Sequence, residues 1–190
     1  MTEAFAMPPD HYRTSWTIEE VLALPENGMR QELIEGRLVV SPVPPKPHQW
    51  AAKQLERLFD AAAPPGTAAN REVNLQLGAD LLIPDVMVAS VAALSDDGSS
   101  MNAADVTMVA EILSPGNTAF GRAWKSQRYA EGGVPFFMEV ELSGIVQVTV
   151  AELRGRGYAK IADAHAGEML KLAEPFELSF DPAELVGPRR

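Results

Sequence analysis

Two acidic residues and one lysine in the middle of the chain have types and spacing suited to a metal-dependent hydrolytic site. Asp85 follows a proline inside the apolar stretch LLIPDVMVAS, Glu111 ends an apolar run before a Ser-Pro-Gly-Asn-Thr turn, and Lys125 follows fourteen residues later. A carboxylate among apolar neighbours is costly unless it is paired or binds a cation. Oxygen ligands suit Mg²⁺, which typically takes one or two protein carboxylates. Such an ion activates water and stabilises charge on a phosphate.

Neighbouring strands would bring the two acids together. Alternate side chains of a strand share one face, so Asp85 and Glu111 would converge at one end of a sheet if their strands are adjacent. The two carboxylates would then repel each other unless a cation lay between them. Lys125 falls on the helix predicted to follow, with Arg122 and Tyr129 on the same side. That helix would place its cationic side over the strand end.

Each of these residues, taken alone, also has a purely structural interpretation. Asp85 and Glu111 would then be strand-end residues satisfied by backbone amides, and Lys125 would be a solvated helix residue. Composition and spacing leave both interpretations open.

The pattern of apolar and turn residues predicts the elements that would position these side chains. A helix begins after residue 15, QELIEGRLVVSP forms a hairpin, and further helices cover 48–63 and 117 or 118–131. Strands are predicted at 72–77, 81–91, 107–113, 135–142, 145–153 and 158–162, a surface loop at 94–104, and a tail from 167 that packs on the sheet edge. The order predicts an α/β fold with a mixed central sheet flanked by helices. Residues 1–15 would be a flexible arm and 16–190 a single domain.

Composition narrows the class of protein. The net charge of −10 argues against broad nonspecific binding to polyanions. The absence of cysteine excludes disulfides and thiolate zinc sites and favours a cytoplasmic location. No apolar run approaches the ~18 residues of a membrane span, and the first residues do not read as a signal peptide. No glycine-rich loop matches a dinucleotide or phosphate-binding fingerprint.

Several short motifs, in their order and spacing, resemble one bacterial family. They are ELIEGRLVVSP (32–42), His48-Gln49, IPDVMV (83–88), VAEILSPGNT (109–118), RxxKxxxYAEGGVP (122–135) and ELRGRGY (152–158). The resemblance is to the Uma-two family, named "putative restriction endonuclease", within the PD-(D/E)XK nuclease superfamily. It covers nearly the whole chain after residue 15. It implies a restriction-endonuclease-like core and a Mg²⁺-dependent phosphodiesterase site in which Mn²⁺ can substitute.

The resemblance also implies roles for single residues. Asp85 and Glu111 match the two acids of the site, and Glu32 matches an N-terminal acid that often joins the metal shell. Ile112 would offer its main-chain carbonyl to the metal. Where the superfamily usually has Glu-x-Lys, this chain has Glu-Ile-Leu. Lys125, on the following helix, matches the position of a migrated replacement.

Three further residues of the matched set are candidate substrate contacts. They are His48, Arg122 and Tyr129, and a structural role is the alternative for His48. The chain departs from the family pattern at 82–83, at 121 and at 136–138, which changes the surroundings of the site rather than the proposed ligands.

Two hypotheses about function follow from the sequence. The first is a Mg²⁺-dependent endonuclease that hydrolyses DNA, with a homodimer as the expected assembly. The second is a non-catalytic binding or assembly module with the nuclease fold, which the negative charge favours. A protein partner could also supply the missing basic surface. The sequence does not define the substrate form, its sequence preference or the pathway.

Overall fold

The computed structural model describes residues 15–113 and 119–187, without the side chains of residues 119–122. Residues 1–14 of the predicted arm, the predicted cap at Asn117 or Thr118 and the side chain of Arg122 lie outside this description. None of the helices in the described ranges is long and apolar enough to cross a membrane.

The described part of the chain contains four α-helices, thirteen strands and two short 3₁₀ helices, Ala103–Asp105 and Pro182–Leu185. The α-helices are α1 (Ile18–Leu22), α2 (Lys46–Ala62), α3 (Val91–Leu94) and α4 (Ala119–Glu131). The strands are β1 (Arg30–Ile34), β2 (Arg37–Ser41), β3 (Thr67–Asn70), β4 (Leu75–Leu77), β5 (Asp80–Leu82), β6 (Val86–Ser90), β7 (Met101–Asn102), β8 (Val106–Leu113), β9 (Phe136–Glu141), β10 (Gln147–Arg154), β11 (Gly157–His165), β12 (Leu170–Leu172) and β13 (Leu178–Phe180).

A six-stranded mixed sheet forms the centre, in the order β11-β10-β9-β8-β6-β3. Strands β8 and β9 run parallel, and the other neighbours in this sheet are antiparallel. Helix α2 packs on one face, where Leu55 and Phe59 meet Val88 and Met108 in one apolar core. The predicted α/β class with a mixed central sheet is therefore confirmed.

A second sheet packs against the other face of the central sheet, and the sequence did not predict it. Its order is β2-β1-β5-β4-β7. Leu75 and Leu82 of this sheet share a core with Met87 and Val109 of the central sheet and with Tyr129 of α4. Strands β4 and β5 of the second sheet therefore pack against β6 and β8 of the central sheet.

The single strand predicted at 81–91 is wrong, because the chain divides into β5 and β6 in different sheets. The break falls at residues 83–85, which include Pro84, and proline cannot donate to a strand ladder. This break leaves Asp85 outside both ladders immediately before β6 begins.

The predicted hairpin is confirmed as β1 and β2, joined by a two-residue turn. Glu35 and Gly36 have φ angles of 50° and 74°, and the favoured two-residue hairpin turn requires positive φ at both positions. The antiparallel register pairs Glu32 with Val39. The turn therefore fixes which side chains of β1 face the centre of the molecule.

Three smaller predictions differ from the structure. Strand β3 was missed because TAAN has little of the β-branched or aromatic content that marks a strand. The predicted loop 94–104 contains β7. The tail forms its own β12–β13 hairpin, whose Leu170 and Phe180 join the core beneath α2.

Candidate active site

The strand register brings Asp85 and Glu111 to the same end of two adjacent strands. Val86 of β6 pairs with Ala110 of β8 in an antiparallel ladder. Asp85 precedes Val86 and Glu111 follows Ala110. The two acids therefore lie opposite each other, one position beyond this pair. Asp85 is 3% exposed and Glu111 is 6% exposed. The predicted convergence of the two acids is thus present in the structure.

Asp85 accepts hydrogen bonds from three directions. Arg30 Nη1 donates to Oδ1 at 2.6 Å, while the Ile112 backbone N–H and His48 Nε2 approach Oδ2 at 2.8 and 3.1 Å. Burial alone would raise the pKa of Asp85, but the His48 hydrogen bond and the Arg30 charge lower it to about 2. Asp85 is therefore an ionised carboxylate held in a fixed orientation.

Arg30 is the main site residue that the sequence reasoning missed. Its guanidinium also donates to the carbonyl oxygen of Ile83, so it bridges β1 and the segment that carries Asp85. Its Nε is buried with no hydrogen-bond partner in the described part of the chain. The only sequence signal was its position two residues before Glu32 on the same strand, which places both side chains on one face.

Glu111 is enclosed by a lysine and a tyrosine. Lys125 Nζ lies 3.1 Å from Oε1 and 3.4 Å from Oε2, and the Tyr129 hydroxyl donates to Oε1 at 2.5 Å. Burial raises the pKa of Glu111, and the carboxylates of Asp85 and Glu32 raise it further against the opposing charge of Lys125. A cation beside Glu111 would relieve this repulsion.

Lys125 links the two acids that come from different sheets. Its Nζ lies 3.2 Å from Glu32 Oε1 in addition to its contact with Glu111. Burial alone would lower the pKa of Lys125, but the two carboxylates raise it well above its ordinary value. Lys125 therefore remains protonated at neutral pH and acts as a hydrogen-bond donor, not as a base.

Glu32 fastens the N-terminal hairpin to the site. Its Oε1 accepts a hydrogen bond from the Ile83 backbone N–H at 3.0 Å as well as from Lys125. The side chain is 5% exposed. Glu32 therefore lies beside Lys125 in the same cleft as Asp85 and Glu111, and its role in the metal shell stays a prediction.

Arg128, about one helical turn after Lys125, fixes the orientation of α4. It pairs with Glu35 of the hairpin turn and lies 3.5 Å from Asp80 Oδ2, and its guanidinium stacks 5.0 Å above the Trp124 ring. These contacts hold the helix against the second sheet. Lys125 consequently points towards the strand ends rather than into solvent, with 22% of its side chain exposed.

An open cleft of about 420 Å³ joins these groups. The charged and polar residues on its wall are Arg30, Glu32, Ser41, His48, Asp85, Glu111 and Lys125, with Ile112 and the proline-rich segment 42–45 completing it. The cleft gives a ligand access to groups that are otherwise buried.

The three predicted substrate contacts have different outcomes. His48 lines the cleft, but it is 6% exposed and contacts Asp85, so it orients that carboxylate. Tyr129 is fully buried, which contradicts a substrate contact, and its hydroxyl serves Glu111 instead. The side chain of Arg122 lies outside the described residues.

The donor set fits a hard divalent cation held by few protein ligands. In residues 15–113 and 119–187, no three His, Asp or Glu side chains form a group that could hold a metal ion by themselves. Mg²⁺ usually keeps several waters and needs only one or two carboxylates. Asp85 and Glu111 supply two, both in the cleft. A two-carboxylate site completed by water and phosphate oxygens is compatible with this arrangement.

Replacing Tyr129 with phenylalanine is expected to lower the free energy of unfolding by about 1–2 kcal/mol, because the substitution removes a hydrogen bond to a buried carboxylate. Urea denaturation would measure the change. The matched control is Tyr158→Phe, which removes a hydrogen bond at 2.8 Å to the neutral carbonyl of Val134 and should cost less. Equal stability of Tyr129→Phe and the parent would show that Tyr129 does not support Glu111.

The fold is shared with a solved structure. The chain is similar to a crystal structure from Anabaena variabilis ATCC 29413 named "a putative nuclease belonging to DUF820", with a TM-score of 0.66 and 18% sequence identity. The likeness covers 89% of this chain and 96% of the other. At this identity it establishes the fold, which agrees with the predicted restriction-endonuclease-like α/β core.

Residues 18–183 match the model of the Uma2 family, described as "Putative restriction endonuclease". The chain belongs to this family, as the sequence motifs indicated. No curated protein matches the chain.

Proposed function

We propose that this protein is a Mg²⁺-dependent endonuclease that hydrolyses phosphodiester bonds of DNA. One observation carries the proposal: Glu32, Asp85, Glu111 and Lys125, from four separate elements or connectors, meet in one open cleft. Membership of a family named for restriction endonucleases supports it. An arrangement that buries three acids beside one arginine and one lysine is expensive to maintain for structure alone.

Asp85 and Glu111 would hold the ion, with the Ile112 carbonyl as a further ligand and Glu32 contributing through water. When bound there, Mg²⁺ would supply a more acidic water and positive charge beside the phosphate. Arg30 and His48 hold Asp85 in one orientation through its two oxygens. The protein thereby presents a rigid carboxylate, which is what a metal site of low protein coordination requires.

Lys125 would act on the phosphate and on the attacking water by donating hydrogen bonds. An ammonium group has three donors, and Glu32 and Glu111 occupy two of them. The third remains available to a non-bridging phosphate oxygen or to a water in the cleft. A preorganised donor of this kind stabilises the charge that develops on the phosphate in the transition state.

Calorimetric titration with Mn²⁺ tests the metal site without a choice of substrate. The parent protein is expected to show saturable binding, and Glu111→Gln is expected to bind at least about tenfold more weakly because it loses one of two charged ligands. Cleavage of supercoiled plasmid with Mg²⁺, and its loss in EDTA, would extend the test to catalysis. Absence of both binding and cleavage in a folded parent protein would refute the proposed activity.

The alternative is a non-catalytic module with the same fold. Arg30 and Lys125 already neutralise much of the acidic charge of the cleft, which is the arrangement expected of a site that never binds metal. This alternative predicts that neither Mn²⁺ nor Mg²⁺ binds and that Glu111→Gln leaves the function unchanged.

We also propose an assembly, a type of protein partner and a location. A homodimer would allow two such sites to address the two strands of a duplex. A protein partner could add basic surface near the cleft. The absence of cysteine from the sequence favours a cytoplasmic location.

A further inference from the structure

The outward face of α2 carries a row of residues that we call the basic stripe. It consists of Lys46, Trp50, Lys53 and Arg57, spaced four, three and four residues apart, so that all four lie on one side of the helix. The three cations are exposed, and Trp50 is 40% exposed. The opposite side of α2, which includes Leu55 and Phe59, is buried in the core.

The positive charge of this stripe is not neutralised by its own helix. Among the described residues, Lys46 and Lys53 have no ion-pair partner. Glu56 of α2 pairs with Arg71 at 2.7 Å, and Asp60 accepts the Ala69 backbone N–H at 2.8 Å. Glu56 is therefore paired with a cation outside the stripe, and Asp60 is the one acid of the helix whose charge no ion pair among the described residues neutralises. Three cations on one helix side form a local positive surface in a chain with a net charge of −10, and such a surface attracts anions.

The stripe begins at the cleft. Pro45 and His48, on either side of Lys46 in sequence, line the cleft that contains Asp85 and Glu111. With a rise of about 1.5 Å per residue, the row from Lys46 to Arg57 extends about 16 Å along the helix axis. This length covers roughly five phosphates of one DNA strand, at about 3.4 Å each along the duplex axis.

We propose that the basic stripe binds the phosphate backbone of DNA and directs one strand into the cleft. The inference rests on the proposed function and deepens it by identifying the surface that holds the substrate. It also resolves the objection raised by the negative net charge, because the cations required for binding are concentrated on one helix face next to the site. Phosphate contacts of this kind fix position and carry no sequence preference.

Two triple variants with the same net charge test the stripe. The first is Lys46→Gln, Lys53→Gln, Arg57→Gln. The matched control is Arg37→Gln, Arg156→Gln, Lys171→Gln, which removes three exposed cations elsewhere on the surface. Binding of a fluorescently labelled DNA duplex would be measured by anisotropy in Ca²⁺, with the salt concentration varied and circular dichroism used to confirm folding.

The stripe variant is expected to bind duplex DNA at least about tenfold more weakly than the parent, whereas the control triple should stay within about twofold. The slope of log K against log salt should fall in magnitude by about 2–3, because each phosphate contact contributes about 0.9. DNA should also change the emission of the parent but change that of Trp50→Phe much less, since Trp50 lies within the stripe.

Three outcomes separate this inference from the proposed function. Equal loss of affinity in both triples, or no loss in either, overturns the stripe even if the parent protein cleaves DNA. Loss confined to the stripe variant supports the stripe even if no metal-dependent cleavage is found. A parent protein that binds no duplex at low salt overturns the stripe regardless of its Mn²⁺ binding.

Discussion

Replacing Lys125 with methionine is expected to reduce metal-dependent DNA cleavage by about 100- to 1,000-fold, the usual cost of losing one preorganised donor to a transition-state charge. Methionine keeps much of the length and apolar stem of lysine but cannot donate a hydrogen bond. Lys125 Nζ is within 3.2 Å of Glu32 and 3.1 Å of Glu111. Plasmid nicking under single-turnover conditions would measure the loss.

The same substitution is expected to destabilise the fold by about 3–5 kcal/mol, because it leaves buried Glu111 and Glu32 without their cation. Urea denaturation would measure this change. Lys160→Met is the matched control, since Lys160 forms an exposed pair with Asp163 at 2.9 Å, and exposed pairs contribute at most about 1 kcal/mol.

A double variant separates stability from catalysis. Adding Glu111→Gln to Lys125→Met removes one of the uncompensated charges, so part of the lost stability should return while cleavage does not recover above the level of Lys125→Met. If Lys125→Met cleaved DNA at the parental rate, Lys125 would be a structural counter-ion and the proposed role would be wrong.

The sequence predicted the convergence of the two acids on the condition that their strands are neighbours, because the alternation of side chains along a strand is a local pattern whereas the pairing of strands is not. Alternation in the strands places Asp85 and Glu111 on one face, and a short connection returns α4 over the same sheet. The position of Lys125 then follows from helical geometry. Tyr129 was placed correctly on the lysine side of the helix but was assigned the wrong role, because the sequence does not show how deeply a residue is buried.

The sequence did not predict the groups that reach the site from far along the chain. Arg30 contacts Asp85 across 55 residues, and this contact depends on a second sheet whose strands are as short as two or three residues. Strands of that length have too few residues for a periodic signal. Pro84 signals an interruption within 81–91, but the assignment of the two halves to different sheets was hidden, because both halves are equally apolar.

The structure contains two buried aspartates that each lie beside an arginine, and they allow a controlled experiment. Asp85 contacts Arg30 in the cleft, whereas Asp80 lies 3.5 Å from Arg128 and accepts the Glu35 backbone N–H at 2.7 Å outside it. Their exposures are 3% and 5%. A general effect of removing a buried carboxylate should appear at both positions, and a specific effect on metal binding should appear at only one.

Asp85→Asn is therefore expected to abolish Mn²⁺ binding and to reduce cleavage by about 1,000-fold or more, since loss of several kcal/mol of metal-derived stabilisation corresponds to that factor. Asp80→Asn should bind Mn²⁺ like the parent, because Asp80 does not line the cleft, and its cleavage should fall far less than that of Asp85→Asn. Calorimetry and plasmid nicking would be run on both variants and the parent. Equal loss of Mn²⁺ binding in the two variants would contradict a metal site at Asp85.

The stability difference between the parent and Asp85→Asn should also depend on pH in metal-free buffer. Because the pKa of Asp85 is lowered to about 2 in the folded protein, against about 3.9 in an unfolded chain, its ionisation contributes about 2–3 kcal/mol of stability. This contribution is fully present above about pH 4 and is lost as the pH falls towards 2. Asparagine does not titrate, so the difference between the two proteins isolates Asp85 from the other acids. A difference that stays constant from pH 5 to pH 2 would show that Arg30 and His48 do not hold an ionised carboxylate, and the fixed orientation proposed for the metal ligand would then have no electrostatic basis.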